Sequence, residues 1–400
     1  MNLIFHYTRE NRNGFNALTG ALEGAAIPGL TLAFPESEKE LAAEISRSLK
    51  ARQITAAGFS FFTSQLPYIE RLAAHLRKRY GGRLILIAGG PHPSGAPEGT
   101  IAAGFDYVIA GEGEEALAAL ARDLCEGNRP AKKIIPAKKI ADLDSYSPFS
   151  LKWGKFGAIE ITRGCPFGCS YCQTSFLFGA KPRHRSVEDI LRHVRTMKTE
   201  GMKDIRFISP DAFAYGSKDG KETAPGKIEE LLKGCRKILK TEGRIFFGTF
   251  PSEVRPEHVT PETLALTKRY ADNKRLVIGA QSGSPRLLRA IRRGHTVEDI
   301  YNSVRLAGRF GLAPVVDFIF GLPGERETDA ELTFKVIDDL VALGARIHSH
   351  AFMPLPGTPF DKKTPAPLSN LTEQRIRGLA ARGRAFGQWE KQLEIGKKTG

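Results

Sequence analysis

Twice along this chain, short runs that are apolar at every position alternate with longer stretches that are apolar on one face only. The first alternation predicts strands at Leu3 to His6, Thr31 to Phe34, Ile54 to Phe59, Leu84 to Ala88 and Tyr107 to Ala110. Between them the 3.6-residue period predicts helices over Glu36 to Leu49, Tyr68 to Arg79 and Glu114 to Cys125. Strands without a polar face belong to a parallel sheet covered by helices on both sides, a doubly wound α/β domain over residues 1–126. Residues 127–150 carry Gly127, Pro130, Pro136 and Pro148 among lysines with no sustained period, and read as a linker.

The second alternation starts with a strand at Gly157 to Thr162 and continues with strands at Ile205 to Ser209, Ile245 to Gly248, Leu276 to Gly279, Val315 to Phe320 and Arg346 to Phe352. Helices are predicted at Val187 to Thr199, Lys227 to Leu239, Pro261 to Tyr270, Arg286 to Ile291, Val297 to Phe310 and Thr328 to Leu343. Six strand-helix units over residues 151–360 predict a partial (β/α)6 barrel, short of the eight units of a closed one. Residues 361–400 form a C-terminal helical extension, with one basic helix expected from Leu371 to about Leu393.

A length of 400 residues suits two domains. No apolar run approaches the roughly 18 residues that span a bilayer, so no membrane is expected. The first residues lack a basic leader or small-residue cleavage site, which places the protein in the cytoplasm. The formal charge of +15 is spread among acidic residues. This favours a solvated basic surface over a nucleic-acid partner, with local excesses at Lys181 to Lys203 and at Arg286, Arg289, Arg292 and Arg293. Five cysteines do not make a disulfide framework, and three of them crowd into Cys165 to Cys172.

Those three follow the first barrel strand in Arg163-Gly164-Cys165-Pro166-Phe167-Gly168-Cys169-Ser170-Tyr171-Cys172. Three thiolates on one Gly- and Pro-containing loop point to an iron-sulfur centre with one coordination position short of four cysteines. A structural zinc site wants a fourth ligand that no nearby Cys or His supplies. The C-x-x-x-C-x-aromatic-C pattern at the end of a first barrel strand resembles the signature of the radical S-adenosylmethionine superfamily. That resemblance implies a 4Fe-4S cluster on Cys165, Cys169 and Cys172. Its open iron would be chelated by S-adenosylmethionine, which one electron cleaves to methionine and a deoxyadenosyl radical. Contacts to S-adenosylmethionine are expected from Tyr171 near the adenine, from Ser252, Glu253 and Arg255, and from Gln281, Ser282 and Gly283. Tyr171 as a packing aromatic, and Glu253 with Arg255 as a surface ion pair, are the competing readings.

In the first domain, Ser60, Phe61 and Thr63 follow the third strand, Gly89, Gly90, Pro91 and His92 the fourth, and Gly111, Glu112 and Gly113 the fifth. Open parallel sheets bind ligands at such loops, and a nucleotide would use them as readily as any other group. Taken in order, the set is similar to the cobalamin-binding domains fused to radical S-adenosylmethionine enzymes, so cobalamin is implied here. The Asp-x-His-x-x-Gly motif that puts a histidine under cobalt is missing, since no Asp precedes Asp106. His92 is read as a cofactor-envelope or turn residue.

The resemblance as a whole is to the cobalamin-dependent radical methylases, including those that modify a glutamine carbon of methyl-coenzyme M reductase. It implies methylation of an unactivated carbon, a peptide or protein substrate, and an electron donor such as ferredoxin or flavodoxin. No individual catalytic side chain stands out. Cobalamin-assisted cyclisation, methylation of a lipid or small molecule, and a redox or cobalamin sensor are the alternatives.

Overall fold

The computed structural model describes residues 1–399, which divide into two compact units. One comprises residues 1–157 with Leu355–Gly357, and the other, among the described residues, 158–354 with 358–399.

The first unit runs β1 (Asn2–Phe5), α1 (Arg12–Ala25), β2 (Thr31–Ala33), α2 (Glu38–Lys50), β3 (Thr55–Ser60) and α3 (Leu66–Tyr80). It continues with β4 (Leu84–Gly89), the short helices α4 (Pro91–Gly95) and α5 (Pro97–Ala102), β5 (Tyr107–Ala110), α6 (Gly113–Cys125) and β6 (Ile134–Pro136). All six strands pair in parallel in the order β2-β1-β3-β4-β5-β6. Side chains alternate across a strand, and here the alternation separates two apolar layers. Leu3, Phe5, Ile85, Ile87 and Ile109 meet α1 and α6 on one face. Ile4, Phe59, Leu84, Leu86 and Val108 meet α2 and α3 on the other. Each such buried side chain stabilises the unit by about 1.5–3 kcal/mol. Small residues in β3 have a steric cause, since a Cβ on Gly58 would lie 2.7 Å from the Phe5 ring.

Four elements of this unit depart from the sequence expectation: α1, the short helices α4 and α5, and β6. Helix α1 was not expected, because Gly14, Gly20 and Gly24 interrupt its apolar face. Gly20 permits close packing there, as a Cβ would sit 2.5 Å from the Ser147 carbonyl oxygen and 2.6 Å from that of Phe149. Strand β6 lies in the stretch read as a linker. It pairs with β5 at the sheet edge, where Pro136 is tolerated.

The second unit begins with β7 (Ile159–Glu160), β8 (Thr162–Arg163), α7 (Thr174–Phe178), β9 (Arg183–His184), α8 (Val187–Thr199), β10 (Asp204–Ile208), α9 (Pro225–Leu239), β11 (Arg244–Phe246) and α10 (Pro261–Tyr270). Then come β12 (Arg275–Gln281), α11 (Pro285–Ala290), α12 (Val297–Arg309), β13 (Ala313–Phe320), α13 (Glu327–Ala342), β14 (Arg346–Ala351), α14 (Asn370–Ala381), β15 (Ala385–Phe386) and α15 (Trp389–Thr399). Parallel pairing links β7, β10 and β11, and separately β12, β13, β14 and β15. Main-chain bonds from Val277 N to Gly248 O (2.9 Å) and from Gly279 N to Val254 O (3.0 Å) join the two rows into a partial barrel. The expected single C-terminal helix is instead α14 and α15 with β15 between them. Gly383, in the left-handed region (φ +69°), ends the first helix, and Ala385 and Phe386 then pair with Ile347 and His348. The antiparallel β8-β9 ribbon, absent from the sequence reading, closes the base of the cysteine-bearing loop.

Candidate metal and cofactor sites

The 19-residue excursion between β8 and β9 is held by its own main chain. Cys165 N–H donates to Gly179 O (3.0 Å) and Cys172 N–H to Cys169 O (3.0 Å). Ser175 Oγ donates to Cys165 O (2.7 Å) and accepts from Gly168 N–H (3.2 Å). Gly164 sits at φ +90°, where a Cβ would be 2.6 Å from Lys181 O, so only glycine fits the turn. Ser170 fixes the loop to the barrel, its N–H donating to Ile291 O (3.0 Å) and its carbonyl accepting from Phe360 N–H (3.1 Å).

Cys169 is buried, while Cys165 and Cys172 are partly exposed. Burial pushes the thiols of Cys165 and Cys172 up from their ordinary value, a penalty on thiolate that a bound cation reverses. Three cysteine thiols brought onto one loop suit an iron-sulfur cluster that leaves one iron open.

Two arginines border the thiols. Arg293 Nη1 approaches Cys169 Sγ at 3.6 Å while Nη2 donates to Gly279 O (2.6 Å). The Arg255 guanidinium lies 3.4 Å over the Phe167 ring, donates through Nε to Glu257 Oε1 (2.6 Å) and also bonds the Arg293 carbonyl. Arg255 Nη1, Arg293 Nε, Glu257 Oε2 and His295 Nε2 are buried without a partner. Orphaned polar atoms of both signs beside an open thiol site fit a zwitterionic ligand such as the amino acid end of S-adenosylmethionine.

The residues expected to contact S-adenosylmethionine separate into two groups. Glu253 hydrogen-bonds Asp317; burial and then the Asp317 charge hold its carboxyl above the ordinary range. Gln281 is buried at φ +74°, and its amide and the Arg293 guanidinium both flank Gly279. Tyr171 packs against the apolar cluster of Leu287, Ile291, Leu322 and Phe352, and burial raises its phenol. Glu253 and Gln281 thus neighbour Arg293, and Tyr171 lies on the cysteine loop itself. The others make contacts within the fold. Ser252 is fully buried and donates to Thr249 O (3.1 Å). Ser282 meets Thr333, and Gly283 packs so closely on α13 that a Cβ would be 2.7 Å from Thr333 Cα. Ser284 caps α11 and donates to Asp329 (2.5 Å). Arg293 and Asp317 were missed as site residues, although a lone acid in the apolar run of β13 was a usable signal.

In the first unit the strand order reverses at β1 and β3, the switch point at which open sheets bind ligands. The expected contacts at these strand ends mostly turn their side chains inward. Phe61 is 1% exposed and stacks on His92, with centroids 5.6 Å apart. Thr63 Oγ1 bonds His92 Nδ1 at 3.1 Å, and both residues are buried. Glu112 Oε2 accepts from Ile140 N–H (2.9 Å), and Gly111 N–H donates to Ser94 Oγ (3.0 Å). Gly113 opens α6 against Leu18, and Pro91 opens α4. At the strand ends Gly90 sits at φ +93°, where a Cβ would be 2.7 Å from Ser60 Oγ, and the carbonyls of Ser60 and Gly90 accept from Asn11 Nδ2 (3.2 Å) and Ser94 N–H (3.0 Å). Glycine there lets a ligand approach the backbone closely.

Residues 159–337 match the Radical SAM superfamily model and residues 11–121 match the B12 binding domain. An uncharacterized protein of Methanopyrus kandleri is 30% identical over 60% of this chain and 45% of its own length. An uncharacterized methyltransferase of Pyrococcus horikoshii is 27% identical over 73% of this chain and 66% of its own. The chain thus spans about half to two thirds of the length of these relatives. Among solved structures, the radical S-adenosylmethionine methyltransferase TsrM from Kitasatospora setae, with cobalamin and a [4Fe-4S] cluster bound, shares the fold at TM-score 0.68 and 17% identity. That match covers 90% of this chain and 76% of TsrM. The cobalamin-dependent S-adenosylmethionine radical enzyme OxsB shares it at TM-score 0.64 and 16% identity, over 99% of this chain and 56% of OxsB. The two matched segments imply cobalamin, a 4Fe-4S cluster and S-adenosylmethionine as cofactors. The chain carries a B12-binding domain followed by a domain of the radical SAM superfamily.

Proposed function

We propose that this chain is a cobalamin-dependent radical S-adenosylmethionine methyltransferase acting on an unactivated carbon, with a glutamine of methyl-coenzyme M reductase as its substrate. The observation that carries the reading is the cysteine loop, whose three thiols are bordered by orphaned cationic and anionic groups. Cys165, Cys169 and Cys172 would hold the cluster, and Arg255 and Glu257 offer their unpaired atoms to the methionine end of S-adenosylmethionine. Arg293 directs Nη1 at Cys169 Sγ, which stabilises added negative charge on that sulfur. When bound, the cofactors supply the one-electron and methyl-transfer chemistry that an aliphatic carbon requires. The chain positions them and excludes water, with Tyr171 and its apolar cluster closing one side. A ferredoxin- or flavodoxin-type protein is the proposed electron donor, and the basic stretch from Lys181 to Lys203 would favour an acidic partner.

The test is to incubate the reduced, reconstituted chain with methylcobalamin, S-adenosylmethionine and peptides of methyl-coenzyme M reductase. Deoxyadenosine together with a gain of one methyl on a glutamine carbon is the expected result. Deoxyadenosine without methylated peptide rejects the substrate, and neither product rejects the enzyme reading.

A further inference from the structure

Within the second unit, two neighbouring strands bring three metal-ligating side chains to one place. His348 and His350 alternate along β14, so both imidazoles leave the same face of the sheet. In the parallel register Asp317 of β13 stands opposite His348, on that face too. One ligand atom from each residue, a carboxylate oxygen and two ring nitrogens, lies within 4.8 Å of the other two. Donors that share one ion at about 2.0–2.2 Å stand at most about 4.4 Å apart, so shifts of roughly a few tenths of an ångström complete the set.

The surroundings hold this group together. His348 Nδ1 and Asp317 Oδ1 are 2.9 Å apart, and Phe386, opposite His348 in the β14-β15 register, stacks on its ring at 4.6 Å and 9°. The contact of Gln392 with His350 Nδ1 is 3.4 Å, long for a hydrogen bond, so that nitrogen is only weakly engaged. A buried Asp that orients one imidazole is a common structural device, and Asp211 with His258 is an instance in the same unit. Two features set the β14 group apart. A second imidazole lies with its centroid 4.1 Å from the first. Glu253 also hydrogen-bonds Asp317, which puts a second acid against a carboxylate that is 3% exposed. Two carboxylates in contact repel each other, and a bound dication removes that repulsion.

We infer that Asp317, His348 and His350 form a binding site for a divalent transition-metal ion of the zinc or ferrous class. One carboxylate and two imidazoles make a donor set that these ions favour, and its lack of thiolate separates it in chemistry from the cysteine loop. The entering ion takes the place of the proton between His348 and Asp317. Three protein donors leave at least one coordination position for water or a substrate oxygen, as in catalytic rather than structural sites. The site stands independently of the methyltransferase reading.

The experiment uses the full chain with its iron-sulfur cluster reconstituted, passed over a chelating resin and titrated with Zn2+. The expected result is one Zn2+ per chain in addition to the cluster irons. X-ray absorption at the zinc edge should show nitrogen and oxygen neighbours at about 2.0–2.2 Å, outer scattering from two imidazoles, and no sulfur at about 2.3 Å. His350→Ala and, separately, Asp317→Asn should each weaken Zn2+ binding by about a hundredfold or more, at or beyond the upper end of what losing a supporting outer contact costs, with iron content unchanged. The spectrum comes from the unaltered chain, so it decides the matter even where a variant fails to fold. A sulfur shell, fewer than two imidazoles, no zinc retained, or an affinity indifferent to both substitutions, the mark of an adventitious ion only, would each overturn the site.

Discussion

The strand-end loops of the two units are built by opposite means. In the second unit the loop between β8 and β9 is held largely by main-chain bonds and carries three thiols, which Arg255 and Arg293 border from other elements. In the first unit the polar and aromatic side chains go the other way. Phe61, Thr63 and His92 lock one another beneath the surface, and Gly89 and Gly90 stand at the end of β4. Inorganic iron needs specific donor atoms, so residue type is indispensable in one loop. An amide-rich organic ring can be held by N–H and C=O groups that every residue carries, so in the other loop backbone conformation matters more than side-chain identity.

The sharpest way to break this contrast is at the thiols. Replacing Cys165, Cys169 or Cys172 with Ala should take anaerobically purified protein from about four irons per chain to near none, while cobalt binding persists. Metal analysis decides this, and a variant that keeps its iron would remove that cysteine from the ligand set. The next effect is expected at glycines, where both loops depend on conformation. Gly164→Ala drives a Cβ into the Lys181 carbonyl at φ +90°, and Gly90→Ala drives one into Ser60 Oγ at φ +93°. Each should cost about 1–3 kcal/mol. The first should lower iron occupancy and the second cobalamin occupancy, each without affecting the other cofactor.

His92→Ala is a milder test. It removes a buried bond to Thr63 and a stack on Phe61, so thermal stability should fall by about 1–3 kcal/mol while cobalamin still binds. Loss of a cobalt-nitrogen signal in that variant would show that a side chain does matter in the first unit. The smallest expected effect is a pH slope. The Glu253 carboxyl titrates above its unfolded value, because of burial and then Asp317, so it favours the native state only while protonated. Stability of the cofactor-free chain should therefore fall as pH rises from the ordinary carboxylate range through that raised value, and Glu253→Gln should flatten the slope. Parallel melting curves for the two proteins would contradict the placement of Glu253 against Asp317.

The same contrast explains what could be read from the sequence. Wholly apolar strands and the amphipathic helices between them were legible to within a few residues, α8 and α10 among them, because burial imposes its pattern on residue type. The cysteine spacing was legible for the same reason. Helix α1 was hidden by glycines that serve close packing, and β6 by being a three-residue edge strand with a proline. The β8-β9 ribbon has only two residues on each side, too few to carry a pattern. Among the candidate contacts, Ser282 and Gly283 looked like ligand-binding residues because a tight helix cap and a ligand loop both call for small polar residues. Arg293 appeared only as part of a basic stretch, since its contact with Cys169 joins residues 124 positions apart.

The most direct test of the account is paramagnetic resonance on the full chain loaded anaerobically with iron, sulfide and cob(II)alamin. The account predicts a reduced 4Fe-4S signal that changes on addition of S-adenosylmethionine, beside a cob(II)alamin spectrum without nitrogen splitting from the protein. A cluster signal indifferent to S-adenosylmethionine, or cobalt coupled to a protein nitrogen, would contradict it.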